Sequence, residues 1–211
     1  MPYSAFIRGI FLSFPFQAMF LGLYIFENAW VTIILYHFLM LLAMSISLSN
    51  EDFSKIFKGL NLPSCLLIGG IYLQAGPCLF FIHKYIDTSS WLSILSEWGL
   101  SGWSLGLFML YFFTVNPVLE ESFWRNLLGS KSKKLIIEDV LFGTYHSMIL
   151  VHFVPVSILL VSVSALIIAA YIWRQQTTRL GGTLVPIMTH AAADLSLIMA
   201  LWYIAKTTAA S

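Results

Sequence analysis

Long apolar runs dominate the chain, at 5–25, 29–48, 64–82, 103–128, 136–153, 155–173 and 183–205, and short segments between them hold most of the charges. A membrane-crossing helix needs roughly 20 mainly apolar residues, with about 17–25 tolerated, so each run predicts one crossing. The first run carries Arg8 and has no small-residue cleavage site after its core, so it reads as a retained span and not a cleaved signal peptide. The pattern therefore predicts an all-α fold, a polytopic membrane helix bundle of about seven transmembrane helices. No soluble domain fits between the runs, and no internal repeat or low-complexity tract is visible.

Composition excludes the alternatives. Of 211 residues 59% are hydrophobic and only 10% charged, with a mean hydropathy of +0.84. Soluble domains carry roughly 25% charged residues, and an apolar surface this large would aggregate in water. Disordered and fibrous classes need polar or repetitive composition. A net charge of +1 without a long basic run gives no sign of a nucleic-acid partner. The lipid bilayer is the partner that composition demands. Cys65 and Cys78 lie in one apolar stretch, thirteen residues apart. On a helix that is roughly 20 Å, beyond disulfide reach, so both read as small packing groups.

Charge placement sets the expected orientation. The N-terminal side and the second, fourth and sixth connections collect Arg8, Lys55, Lys58, Arg125, Lys131, Lys133, Lys134, Arg174 and Arg179, nine of the eleven basic residues. Lys84 and Lys206 fall on the other side. The positive-inside tendency makes the first side cytoplasmic. A compact chain of this kind suits a multi-pass protein of a bacterial inner membrane. Trp91, Trp98 and Trp103 fall near an expected membrane boundary.

Ionisable residues inside a span are costly and mark functional sites. The fourth run contains Glu120, Glu121 and Arg125, the fifth His146, and the seventh His190 and Asp194. Measured from the expected cytoplasmic helix ends, Glu120, His146 and His190 each lie roughly 14 Å in at 1.5 Å per residue. Three spans thus deliver polar groups to one level, which predicts a single site. Glu121 and Arg125 are i,i+4 and pair on one face, while Glu120 points about 100° away toward the bundle. Asn116 and Pro117, one turn earlier, are placed to bend the helix. His190 and Asp194 are also i,i+4, so the carboxylate is expected to fix the imidazole tautomer. His37, His83 and His152 have no matching partner and read as packing residues.

Together the three segments resemble the CAAX protease and bacteriocin-processing family of intramembrane proteases, also called the Abi family. Its Glu-Glu-x-x-x-Arg, Phe-x-x-x-His and His-x-x-x-Asn motifs stand here as Glu120-Glu121-Ser122-Phe123-Trp124-Arg125, Phe142-Gly143-Thr144-Tyr145-His146 and His190-Ala191-Ala192-Ala193-Asp194. The resemblance divides the chain into N-terminal helices without a recognised motif, 1–102, and a protease-like core, 103–205, within one membrane domain. It implies hydrolysis of a peptide bond in a membrane-associated peptide or protein, in a cavity open to the cytoplasm. Glu120 and His146 would activate a water, His190 and Asp194 would steady the oxyanion, and Glu121 and Arg125 would support them.

Asp194 departs from the family's commoner Asn, which can donate where an ionised Asp only accepts. Three accounts stay open: Asp194 holds His190 as an imidazolium, it is itself protonated, or the four residues bind a divalent metal such as Zn²⁺. No HExxH pattern is present. Two other classes of function compete, a non-catalytic immunity or regulatory scaffold and a small transporter. Against the transporter, the polar groups gather on one side of the bilayer and no inverted repeat is visible.

Overall fold

In the computed structural model, which describes residues 4–208, every regular element is helical. Helix α1 (Ala5–Met19) starts at Ser4, whose hydroxyl accepts from the Ile7 amide, and continues into a π-helical turn, Phe20–Ile25. Asn28 then caps α2 (Ala29–Ser47) by accepting from the Val31 amide at 3.0 Å. A short helix, α3 (Asn50–Lys55), opens with a capping box between Ser49 and Asp52. The third crossing is α4 (Leu62–Tyr72) followed by α5 (Ala75–Ile82), and α6 (Trp91–Glu97) lies beyond it. The fourth joins α7 (Gly102–Thr114), α8 (Asn116–Glu121) and a π-helical turn, Ser122–Leu127. After it come α9 (Ile137–Tyr145), α10 (Ser147–Leu150), α11 (Val156–Leu180) and α12 (Leu184–Thr208).

Two breaks have local causes. Proline cannot donate to the carbonyl four residues back. Pro77 therefore frees the carbonyl of Leu73, and α12 supplies the missing donor: the Ser196 hydroxyl reaches that oxygen at 2.6 Å and accepts from the Gly76 amide at 2.9 Å. Between α7 and α8 the break falls just before Pro117, where the sequence predicts a bend.

Six helices are long and apolar enough to cross a membrane: Ala5–Ile25, Ala29–Ser47, Leu62–Tyr85, Gly102–Leu127, Val156–Leu180 and Leu184–Thr208. They coincide with six of the seven expected runs. The run at 136–153 does not form a continuous helix. It is divided at His146 into α9 and α10 and ends in turns ahead of Pro155. Its ends nevertheless reach opposite ends of the bundle. At one end Arg8 donates to the Leu128 carbonyl and to Glu138, both at 2.7 Å, and the Thr183 amide donates to the Lys55 carbonyl. At the other, Trp91 Nε1 donates to the Phe153 carbonyl at 2.9 Å and the Ala29 amide to the Trp98 carbonyl at 3.0 Å. The seventh crossing exists by path, as a short broken one.

The helices are turned polar side inward. In α2, Thr32, Tyr36, His37, Met40 and Met44 are buried, while Ile34, Phe38, Leu41 and Leu42 are exposed. That suits a bilayer, where an outward apolar side chain meets lipid. Where α9 crosses α11, Gly143 leaves no room for a Cβ, which would collide with Ile167 and the Val163 carbonyl. Next to this crossing, buried Arg174 holds Asp139 through Nε and Nη2 at 2.9 and 2.6 Å. The same guanidinium donates to the carbonyls of Ser130, Ser132 and Lys134, tying the 130–134 loop to α9 and α11. Cys65 is buried and Cys78 exposed, and both are free thiols.

Candidate active site

Consecutive residues on a helix diverge by about 100°. Glu120 and Glu121 use that divergence to serve different partners, and both are buried. Glu120 Oε1 accepts from the Tyr36 hydroxyl of α2 at 2.6 Å and from the Tyr145 hydroxyl of α9. Trp124 Nε1 donates in turn to the Tyr36 oxygen at 3.1 Å. Glu120 Oε2 is buried and has no hydrogen-bond partner among the described residues. It lies 3.5 Å from His190 Nε2.

Glu121 faces the other way. Its Oε2 accepts from Arg125 Nε at 3.0 Å, the i,i+4 pair the sequence predicts, and its Oε1 lies 2.9 Å from His190 Nδ1. The terminal nitrogens of Arg125 have no acceptor among the described residues, and its guanidinium lies over the rings of Phe142 at 4.5 Å and Trp173 at 5.8 Å. A cation is stabilised over an aromatic face by the ring quadrupole.

His190 is thus enclosed by carboxylates. An ionised carboxylate only accepts, so Glu121 fixes a proton on Nδ1. Nε2 lies 3.5 Å from both Glu120 Oε2 and Asp194 Oδ1. Trp173 stacks on the imidazole, with centroids 4.5 Å apart and planes at 19°, and its own Nε1 donates to Thr189 Oγ1 at 2.9 Å. The expectation that Asp194 sets the tautomer is corrected: Glu121 does so, because the ring turns Nδ1 toward α8 and leaves Nε2 to Asp194.

His146 is half-buried and stands apart. Its Nδ1 donates to the Phe142 carbonyl at 2.7 Å, which leaves Nε2 as the nitrogen with the lone pair in the neutral ring. No hydrogen bond or ion pair joins it to Glu120. Tyr145 links them: its hydroxyl donates to Glu120 while its ring packs against the His146 ring at 4.1 Å.

All of these groups but Tyr36 on α2 come from one segment of the sequence. Residues 102–196 match the family model described as Rce1-like, Type II CAAX prenyl endopeptidase Rce1-like. Over that segment, a little under half of its length, the chain is similar to the CAAX protease family. Glu120, His146, His190 and Asp194 all fall within the matched segment. No curated protein and no solved structure matches the chain.

The site also recruits residues from outside the expected set. Tyr36 and His37 come from α2, in the region without a recognised motif. His37, expected to be a packing residue, instead lies 2.8 Å from the Tyr111 hydroxyl through Nδ1 and 3.1 Å from Asn116 Oδ1 through Nε2. Asn116, expected only to accompany a bend, directs its amide nitrogen to Asp194 Oδ2 at 3.4 Å. A polar pair eight residues into an otherwise apolar span was the available signal for Tyr36 and His37. Nothing in the pattern distinguished Tyr145 or Trp173 from lipid-facing aromatics.

The donor set does not fit a divalent metal. Among the described residues no group of three or more His, Cys, Asp or Glu side chains is arranged to hold one. Glu120 Oε1 is committed to two hydroxyls, His190 Nδ1 to Glu121, and His146 points to its own helix's carbonyl.

Proposed function

We propose that the chain is an intramembrane endopeptidase that uses Glu120 as general base and hydrolyses a peptide bond of a membrane-associated peptide or protein. The observation that carries this reading is the unpartnered, buried Oε2 of Glu120 facing His190 Nε2 at 3.5 Å. A carboxylate left half-satisfied in a low-dielectric interior is costly unless the site uses it.

The steps follow from the donors and acceptors present. Glu120 Oε2 takes a proton from a water, assisted by the lone pair on His146 Nε2. The resulting hydroxide attacks the scissile carbonyl carbon, and the carbonyl oxygen becomes an oxyanion. With its second proton, His190 Nε2 donates to that oxyanion, and Asp194 holds the donor in place from one turn along α12. Glu120 then returns its proton to the departing amine as the C–N bond breaks, leaving a carboxylic acid and an amine, between which the last proton passes on release. Pre-aimed donors of this kind act most strongly where water is excluded. Glu121 and Arg125 orient His190.

The site lies nearer the basic end of the bundle: Glu120 is about 10 Å of helix rise from Leu127. By the positive-inside tendency that end is cytoplasmic, in a bacterial inner membrane, and the cavity opens toward it.

The test is cleavage of a membrane-peptide pool, with a farnesylated fluorogenic peptide alongside, by protein reconstituted in vesicles. Glu120→Gln should abolish product release without altering the melting temperature, and a chelator should leave the native rate unchanged. Full activity in Glu120→Gln would overturn the water-activation role. A wild type that releases nothing from either substrate would favour a binding scaffold.

A further inference from the structure

The oxyanion formed in such a reaction needs more than one donor, and the site is poor in donors. Glu120, Glu121 and Asp194 accept only when ionised. The Arg125 guanidinium is turned over the rings of Phe142 and Trp173, with Nε on Glu121. Besides His190 Nε2, the side-chain donor at Asp194 is the Asn116 amide, 3.4 Å from Oδ2.

The orientation of that amide follows from Asp194. Ionised Asp194 only accepts, so the amide nitrogen turns toward it and Asn116 Oδ1 is left facing His37 Nε2. Neutral His37, with one donor and one acceptor nitrogen, completes the chain when Nε2–H donates to Asn116 Oδ1 and Nδ1 accepts from the Tyr111 hydroxyl. Asn116 and His37 are both buried. Only one of the two amide hydrogens is taken up by Asp194, and no second acceptor lies among the described residues.

Resting on the protease reading, we propose that Asn116 is a catalytic residue, the amide donor that joins His190 Nε2 in binding the oxyanion. Asp194 is then a positioning residue: its two oxygens, one toward His190 and one toward Asn116, hold both donors about a single point. The carboxylate and the amide form a complementary pair whose chemistry is divided between α8 and α12.

Exchange of the pair tests this. Asn116→Asp keeps the shape and the acceptor for His37 while removing the donor. Its kcat should fall about a hundredfold or more, the usual cost of deleting an oxyanion donor, with KM unchanged. Asn116→Asp combined with Asp194→Asn returns an amide to the pair from the opposite helix, and kcat should recover to within about tenfold of the native value, as expected if the donor and not its helix of origin is what matters. Melting temperatures in detergent, measured for each variant, separate donor loss from misfolding. Native activity in Asn116→Asp, beside an inactive Glu120→Gln, overturns the inference and leaves the protease reading standing. An exchange variant no faster than the stably folded single variant overturns it too. An active Glu120→Gln counts against the protease reading itself, and this inference falls with it.

Discussion

Glu121 grips His190 through a 2.9 Å contact between Oε1 and Nδ1, while its other oxygen neutralises Arg125 at 3.0 Å. One carboxylate therefore links the charge of the π-helical turn to the ring at the centre of the site. Gln at position 121 would supply one acceptor for two donors and leave Arg125 buried without a counter-charge. Breaking a buried pair by removing one partner costs about 3–5 kcal/mol. Glu121→Gln should therefore unfold at markedly lower temperature and lose activity by about a hundredfold, as expected for a misplaced reacting group. A variant with native melting behaviour and native kcat would refute the coupling.

The two tyrosines on Glu120 Oε1 set which carboxylate oxygen is left to act. A hydrogen bond to a charged group contributes about 1.5–3 kcal/mol, equivalent to a tenfold or greater change in rate. Tyr36→Phe and Tyr145→Phe should each lower kcat by about that factor, with KM unmoved. The double variant should lose less than the product of the two, since both act on one oxygen. Steady-state kinetics on the best-cleaved peptide distinguishes this from a loss of substrate binding.

Arg174 closes the 130–134 loop onto the bundle. Arg174→Met retains the apolar stem but strands Asp139, again at about 3–5 kcal/mol. The loop carries Lys131, Lys133 and Lys134, so trypsin reads its release directly. Nicking at these lysines should accelerate at least tenfold in the variant. An unchanged digestion rate would show that the loop is held by something other than this guanidinium.

Outside the bilayer, α3 provides a pH-dependent element. The Lys55 ammonium and the Ser49 hydroxyl hold the Asp52 carboxyl below its ordinary value of 3.8. A carboxyl lowered by folding contributes stability that is present above the ordinary value and lost as pH falls through the lowered one. The capping box should stay closed at neutral pH and open below pH 3.8. Amide exchange across residues 50–55 should rise over that acidic range, and Asp52→Asn should lack the step.

Much of this architecture is legible in the sequence because bilayer solvation imposes long apolar runs. The i,i+4 spacing of Glu121 with Arg125 and of His190 with Asp194 likewise follows from helix geometry alone. What spacing could not convey is ring rotation: Asp194 is within 3.5 Å of His190, yet Nδ1 turns to Glu121 on another helix. Tyr36, Tyr145 and Trp173 were illegible for a different reason. An aromatic side chain in a span serves equally well against lipid or against a carboxylate, and only the helix's rotation in the bundle decides.

The divided seventh crossing bears on how water arrives. Residues 137–150 rise only about 21 Å at helical pitch, well short of the roughly 30 Å hydrocarbon slab. A segment shorter than the slab is accommodated by local thinning. Thinning of this kind beside α9 and α10 would lower the apolar barrier next to His146, and under the protease reading it would give water its shortest path to Glu120.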